Sequence, residues 1–397
     1  MSPSTGKSKA PTTLVATTLA ALGYRMPAEW EPHAATWLAW PHYREDWPGK
    51  FEPIPWVYAE IIRNLAKRER VELIVQNARA ARQVRTVLKR ADALSSNIRF
   101  HRWPTDRVWL RDSGCIFLVP NVPASRAANT REMGHPQVPP HEPSLLALRF
   151  RFNGWAKYSN WRRDEKIGSL MVKATIPTSR AKAEREMGHP HVIHPTSGGK
   201  RIVLEGGAID VNGAGTILTT EECLLSKVQE RNPHMTRVHY EKAFADYLGC
   251  PNTIWLGRGI AGDDTHGHVD DLTRFVSKDT VVTMVEHNAN DENQPPLLAN
   301  LWRLQAARDQ DGRQLTVVEL PMPQPVVFEG RRLPASYANF YIANGVVLVP
   351  VFNCPNDRIA LNTLAQLFPT REIAPIYSRD FIWGLGAMHC MTQQQPA

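Results

Sequence analysis

Two Asn-Gly dipeptides do most to limit the folds open to this 397-residue chain. Asn212-Gly213 separates Ala208-Ile-Asp-Val211 from Thr216-Ile-Leu218, and Asn344-Gly345 separates Phe340-Tyr-Ile342 from Val346-Val-Leu-Val349. Both residue types tolerate the positive φ that a tight hairpin turn demands, so Asn-Gly between short apolar runs predicts a β-hairpin. Hairpins exclude a purely parallel sheet. Around them the periodicity alternates. Helices are predicted at Trp56 to Lys67, Ala78 to Arg90, Pro233 to Leu248, Pro296 to Ala307 and Asp357 to Leu367. Strands are predicted at Val71 to Val75, Cys115 to Val119, Val281 to Val285 and Leu315 to Glu319. Hairpins mixed with helices favour an α/β fold assembled from several similar strand-and-helix units.

Composition narrows the function. With 43% hydrophobic residues and 12 Trp the chain can bury a substantial core. No apolar run approaches the roughly 18 residues that suggest a membrane-spanning helix, so no membrane partner is expected. Five cysteines (115, 223, 250, 354 and 390) contain no Cys-x-x-Cys, which fits neither a disulfide framework nor a zinc ribbon and predicts reduced thiols in the cytoplasm. Residues 121–200 hold 13 Lys or Arg against 6 Asp or Glu and so carry nearly all of the net charge of +8. The rest of the chain is nearly neutral, and with the charge confined to this one segment no nucleic-acid partner is expected. That segment holds a duplication, since Pro123 to Val138 returns as Pro177 to Val192 with Arg-Glu-Met-Gly-His-Pro in both copies. Two copies are too few for a solenoid, and both read as inserted loops. Thr12 to Gly23 is apolar but rich in threonine, with only Lys7 and Lys9 before it, and matches an extension better than a secretion signal.

Five motifs carry chemistry. Gly257-Arg-Gly259-Ile-Ala-Gly262 matches a dinucleotide fingerprint, yet Asp263 and Asp264 follow where a helix should open towards phosphate. A turn that brings acids and histidines into a cleft is the better reading. His266-Gly-His268-Val-Asp270 could place three metal ligands on one face of a strand, or an acid-base pair, or buried structural residues. Glu205-Gly-Gly207 puts a carboxylate among hydrophobes, which requires a partner if it is buried. Trp109-Leu-Arg111-Asp112 offers a carboxylate that either caps a turn, pairs with Arg111 or serves a site. Cys390 follows Gly384 and Gly386 and adjoins His389, a setting for a nucleophile or for an ordinary buried thiol.

Taken in order, Trp109-Leu-Arg-Asp112, Glu205-Gly-Gly, His268-Val-Asp270 and Cys390 resemble the agmatine deiminase family, a branch of the guanidino-group-modifying enzymes that includes the peptidyl-arginine deiminases. The likeness runs from Tyr24-Arg-Met-Pro-Ala-Glu-Trp-Glu-Pro-His33 to the last residue and takes in Asp46-Trp-Pro-Gly49 and Leu333-Pro-Ala-Ser-Tyr-Ala-Asn-Phe-Tyr341. It implies a five-bladed pseudo-symmetric α/β propeller of ββαβ-type units. A single catalytic domain would then span 24–397 behind a flexible extension over 1–23, with basic insertions near 121–143 and 175–198. The resemblance assigns Cys390 as nucleophile, His268 as acid and base, and Glu205 as the carboxylate that orients His268. Asp112 and Asp270 would bind the guanidinium, with Trp109 beside them. It implies no metal and no cofactor. The substrate would be a small cationic guanidine, hydrolysed from agmatine to N-carbamoylputrescine and ammonia on the way to putrescine; a homo-oligomer is compatible with it. The alternatives are an arginine or peptidyl-arginine deiminase, a metallohydrolase built on His266, His268 and Asp270, and a basic nucleic-acid-binding protein. Where many members carry Gly-Gly-Gly-Asn-Ile, this chain has Gly384-Leu-Gly-Ala-Met388.

Overall fold

The structure, a computed structural model, describes residues 18–121, 145–175 and 192–397. Five sheets of three or four strands occupy the described residues, with two small two-stranded ribbons beside them. One plan recurs in all five: an antiparallel pair, then a crossover to a parallel strand. Asp210–Val211 pairs antiparallel with Thr216–Thr220, which runs parallel to Asn252–Leu256. Thr273–Phe275, Thr280–Val285 and Thr316–Pro321 repeat this, as do Tyr341–Ala343, Val346–Val351 and Glu372–Tyr377. In the remaining two, Ile116–Pro120 and Leu146–Leu148 lead to Val192–Ile193, and Thr392–Pro396 pairs with His33–Ala39, followed by Arg70–Val75 and Ile98–Arg102. The last strand of the chain thus completes the sheet begun near its start.

The helices form where amphipathic patterning meets a usable start. Ala78–Arg90 begins at Asn77, whose side chain accepts from the Ala80 amide, and turns Val84 and Leu88 inward. Ile54–Ala66 starts on prolines and buries Tyr58, Ile61, Ile62 and Leu65. The helix expected from Pro233 opens only at Arg237. The Asn232 side chain is held by both backbone groups of Val203, and Thr236 with His239 forms the capping box that starts the helix. Its last turn widens into a π-turn, Phe244–Leu248.

Both predicted hairpins exist, with different turns. Ala343 pairs with Val346, leaving Asn344-Gly345 as a two-residue turn in which Gly345 has φ +69°. In the other, Val211 pairs with Ile217, because the Asn212 side chain accepts from the amides of Ala214 and Thr216 and opens the loop.

Five short turns, each just before the first strand of an antiparallel pair, touch one another in a ring: Leu110–Ser113, Gly206–Ala208, Val269–Asp271, Tyr337–Asn339 and Met388–Met391. This ring positions the candidate site. Leu19 is buried, and its carbonyl accepts from the Tyr24 amide. The two duplicated segments lie outside the described residues, except for Val192, which pairs with Ala147. No helix among the described residues is long and apolar enough to cross a membrane.

Candidate active site

Each turn of the ring brings a polar group to one place. From Leu110–Ser113 comes Asp112, buried, with Oδ1 accepting from the Gly207 amide at 2.9 Å and Oδ2 from Trp155 Nε1 at 2.8 Å. Burial pushes its carboxyl up; His268 opposes this, while Asp270 and Glu205 add to it. Asp112 is not paired with Arg111, which turns instead to Glu29 Oε2 (3.1 Å) and Gln394 Oε1 (2.7 Å).

Gly206–Ala208 supplies space. A Cβ on Gly207 would lie 2.5 Å from His268 Nδ1, so only glycine lets the imidazole settle there. Glu205, just before this turn, is fully buried; Arg231 Nε donates to its Oε1 at 3.1 Å and its Oε2 has no hydrogen-bond partner among the described residues. Ligating atoms of Glu205, Cys223 and His268 lie within 4.8 Å of one another. His268 is also fully buried; among the described residues neither ring nitrogen has a hydrogen-bonding N or O partner, and Nδ1 lies 4.0 Å from both Asp112 Oδ2 and Asp270 Oδ1. Burial would lower its pKa, but Asp112, Cys223 and Asp270 outweigh burial and hold it well above the usual histidine range.

Val269–Asp271 presents Asp270, whose Oδ2 faces His389 Nδ1 at 2.7 Å and Cys390 Sγ at 3.5 Å. Burial raises its carboxyl, yet His389, His268 and Arg274 hold it below the usual range. Tyr337–Asn339 presents Asn339, which donates to Cys390 Sγ at 3.0 Å while its Oδ1 accepts from the His389 and Cys390 amides. Met388–Met391 presents Cys390 itself. Burial and the carboxylates of Asp270, Asp271 and Asp112 push its thiol well up, against which Asn339 acts.

Cys390 opens onto a cavity of about 160 Å³ lined by Trp109, Asp112, Leu385, Asp46 and Arg107 among others. Its floor is tight. A Cβ on Gly386 would meet Trp109 at 2.8 Å and one on Gly384 would meet Trp47 at 2.5 Å, while Leu385 between them takes φ +67°.

The structure therefore brings Trp109, Asp112, Glu205, His268, Asp270 and Cys390 together, but it separates the proposed metal triad. His266 has φ +66° and turns to Ser226 Oγ at 3.0 Å, whereas His268 and Asp270 face inward. Alternation along a strand fails here because residues 263–271 form a turn: Asp263 caps the amides of Thr265, Gly267 and His268. The glycine-rich loop before it also has its amides engaged, Gly259 with Glu222 and Ala261 with Asn293, which leaves them unavailable to a pyrophosphate.

Several participants have no role assigned from the sequence, although Glu29 and Asp46 lie in stretches that carry the family likeness. Glu29 accepts from Arg274, Arg111 and the Ile342 amide and faces His389 Nε2 at 2.8 Å. Asp46, Arg107, Trp155 and Arg231 reach the site only through tertiary closure. Asn339 had a usable signal, since it sits before the first strand of an antiparallel pair as Asp112, Asp270 and Cys390 do.

The family model described as Porphyromonas-type peptidyl-arginine deiminase matches residues 25–396. The agmatine deiminase of Ectopseudomonas mendocina (strain ymp) is 32% identical, over 97% of this chain and 99% of its own. That of Pseudomonas aeruginosa (strain UCBPP-PA14) is 31% identical over 94% and 96%. Among solved structures, an agmatine deiminase of Enterococcus faecalis superposes with a TM-score of 0.79 at 26% identity, covering 96% of this chain and 98% of that one. A putative arginine deiminase from Porphyromonas gingivalis superposes with a TM-score of 0.73 at 30% identity, covering 94% and 98%.

Proposed function

The chain belongs to the Porphyromonas-type peptidyl-arginine deiminase family, and from that premise we propose that it is an agmatine deiminase, hydrolysing the guanidinium of agmatine to N-carbamoylputrescine and ammonia. It is a hydrolase of amidine carbon–nitrogen bonds. The observation that carries the reading is that Asp270 Oδ2 lies 3.5 Å from Cys390 Sγ in a buried site shared with Asp112 and His268.

A guanidinium is always charged and planar, and burying it requires facing anions. Asp112 and Asp270 supply them and hold the central carbon against Cys390. In the free enzyme these same carboxylates keep the thiol protonated. The arriving cation cancels their field and favours the thiolate, whose proton leaves to solvent. The thiolate adds to the guanidinium carbon, forming a C–S bond and a tetrahedral intermediate. His268, held protonated, gives its proton to the departing nitrogen; the C–N bond breaks, ammonia leaves and a thiouronium remains on Cys390. Neutral His268 then takes a proton from water as the oxygen adds to the same carbon; the C–S bond breaks, the new hydroxyl's proton passes to the departing sulfur, and the ureido product leaves Cys390 as the thiol it was in the free enzyme. Glu205, steadied by Arg231, balances the imidazolium. Trp109 walls the site beside the two carboxylates.

The same reading makes the fold a five-bladed propeller with its active site on the axis. Five sheets of one plan and five turns touching in a ring support it. One catalytic domain from residue 24 onward, in a cytoplasm that keeps its five free thiols reduced, completes the proposal. Ammonia release is to be measured with agmatine, L-arginine and a blocked arginine peptide. Turnover of agmatine above both others is expected, and no turnover of agmatine overturns the assignment.

A further inference from the structure

A linear amine-bearing guanidine carries two positive charges, and the site described so far accounts for one of them. Asp112 and Asp270 face the guanidinium. The second charge needs its own anion if the tail is to lie in a closed cavity.

Asp46 is placed for this. It ends the short 3-10 turn Arg44–Asp46, is 7% exposed, and lines the same cavity as Cys390 and Asp112. One of its oxygens is in use, since Arg107 Nη1 donates to Oδ1 at 2.7 Å. The other, Oδ2, is buried with no hydrogen-bond partner among the described residues. A carboxylate has room for about four hydrogen bonds, and a buried acceptor left empty forfeits its hydration without return. Arg107 does not supply the missing bond: its guanidinium lies 3.9 Å over the Tyr158 ring and its Nε turns to Asn160. The cavity that Cys390 lines therefore also holds a buried acid with one oxygen unpaired.

We propose that Asp46 is an ammonium subsite, which takes the terminal amine of the substrate's tail on Oδ2 while Asp112 and Asp270 hold the guanidinium at the other end. This rests on the agmatine reading and explains why an amine-ended guanidine would be preferred. Burial and the neighbouring Asp264 raise Asp46 to about 7 even with Arg107 attached, as expected of a carboxylate lacking part of its compensation. L-Arginine carries an ammonium too, but beside a carboxylate that Asp46 would repel.

The test compares wild type, Asp46→Asn and Asp46→Glu on agmatine, on n-pentylguanidine, in which a methyl replaces the ammonium, and on L-arginine. Wild type is expected to favour agmatine over n-pentylguanidine by about 100-fold in kcat/KM. Asp46→Asn is expected to raise KM for agmatine about 10- to 100-fold with kcat within about threefold, and to leave n-pentylguanidine within about twofold. Asp46→Glu should recover part of the agmatine KM. Equal loss on both guanidines in Asp46→Asn, unchanged agmatine kinetics, or a larger loss on L-arginine than on agmatine overturns the subsite. Failure of wild type itself to turn over agmatine, seen before any variant is made, defeats the underlying assignment instead.

Discussion

His389 Nδ1 lies 2.7 Å from Asp270 Oδ2, so the histidine adjoining Cys390 serves a carboxylate rather than the thiol. Its Nε2 meets Glu29 Oε2 at 2.8 Å, so its two ring nitrogens face two buried acids. Asp270 is held ionised by a neighbour one residue from Cys390 in sequence. Replacing His389 with Leu removes that compensation and leaves two buried carboxylates facing apolar atoms. A fall in kcat/KM of about 10²–10³ is expected, with His389→Asn, which retains one donor, losing less. Steady-state kinetics of the two variants check this; equal activity of His389→Leu and wild type would contradict it.

Glu29 binds two buried arginines and that histidine, and it joins segments 245 residues apart in the case of Arg274. Removing one member of such a cluster leaves the others uncompensated, so Glu29→Gln is expected to lose about 3–5 kcal/mol of stability at pH 7. Burial would raise the Glu29 carboxyl, but Arg274, His389 and Arg111 hold it well below the usual range. Its stabilisation is thus present above the unfolded value near 4.5 and is lost as pH falls through the lowered folded value. Denaturant melts should show the gap between variant and wild type closing in acid.

Gly207→Ala tests how closely His268, Asp270 and Asp112 are packed. The added Cβ would lie 2.5 Å from His268 Nδ1, 3.0 Å from Asp270 Oδ2 and 3.1 Å from Asp112 Oδ1. Displacing these groups by even a few tenths of an ångström should lower kcat/KM by about 10² or more. Far-UV circular dichroism should stay that of wild type. Full activity in this variant would show that the groups have slack.

Asp46 also gives a stability test independent of substrate. Its carboxyl rises from 3.8 to about 7 on folding, so the native state holds a proton that the unfolded chain releases. Stability then falls as pH rises from about 4 to about 7. Asp46→Asn removes that loss. The variant should melt close to wild type at pH 4 and above it at pH 8, by a gain of at most a few kcal/mol. A gain equal at both pH values would contradict the burial of a carboxylate that Arg107 compensates only in part.

What the sequence disclosed follows from how locally each feature is encoded. The Asn-Gly hairpins were legible because a turn's demand for positive φ is met by a glycine beside an asparagine, with φ +67° at Gly213 and +69° at Gly345. Asp112, Glu205, His268, Asp270 and Cys390 were legible because each sits in a short motif beside glycine or an aromatic residue, and the motifs recur in a known order. Glu29 and Asp46 were not singled out for the site, since a lone acid in a loop looks solvated until strands far apart in sequence close over it. The strand-like reading of His266 to Asp270 failed for a related reason: Asp263 caps three amides and bends the segment, and periodicity contains no record of such a cap. The wider turn at Asn212 has the same origin in a side chain that competes for backbone amides.

The central claim is covalent catalysis by Cys390 on a guanidine, and mass spectrometry after rapid acid quench of the enzyme with agmatine tests it most directly. Wild type should carry an adduct of the amidino-alkyl group on the Cys390 peptide, and Cys390→Ala should show neither adduct nor ammonia release. Ammonia release by Cys390→Ala at a rate near that of wild type would contradict the account.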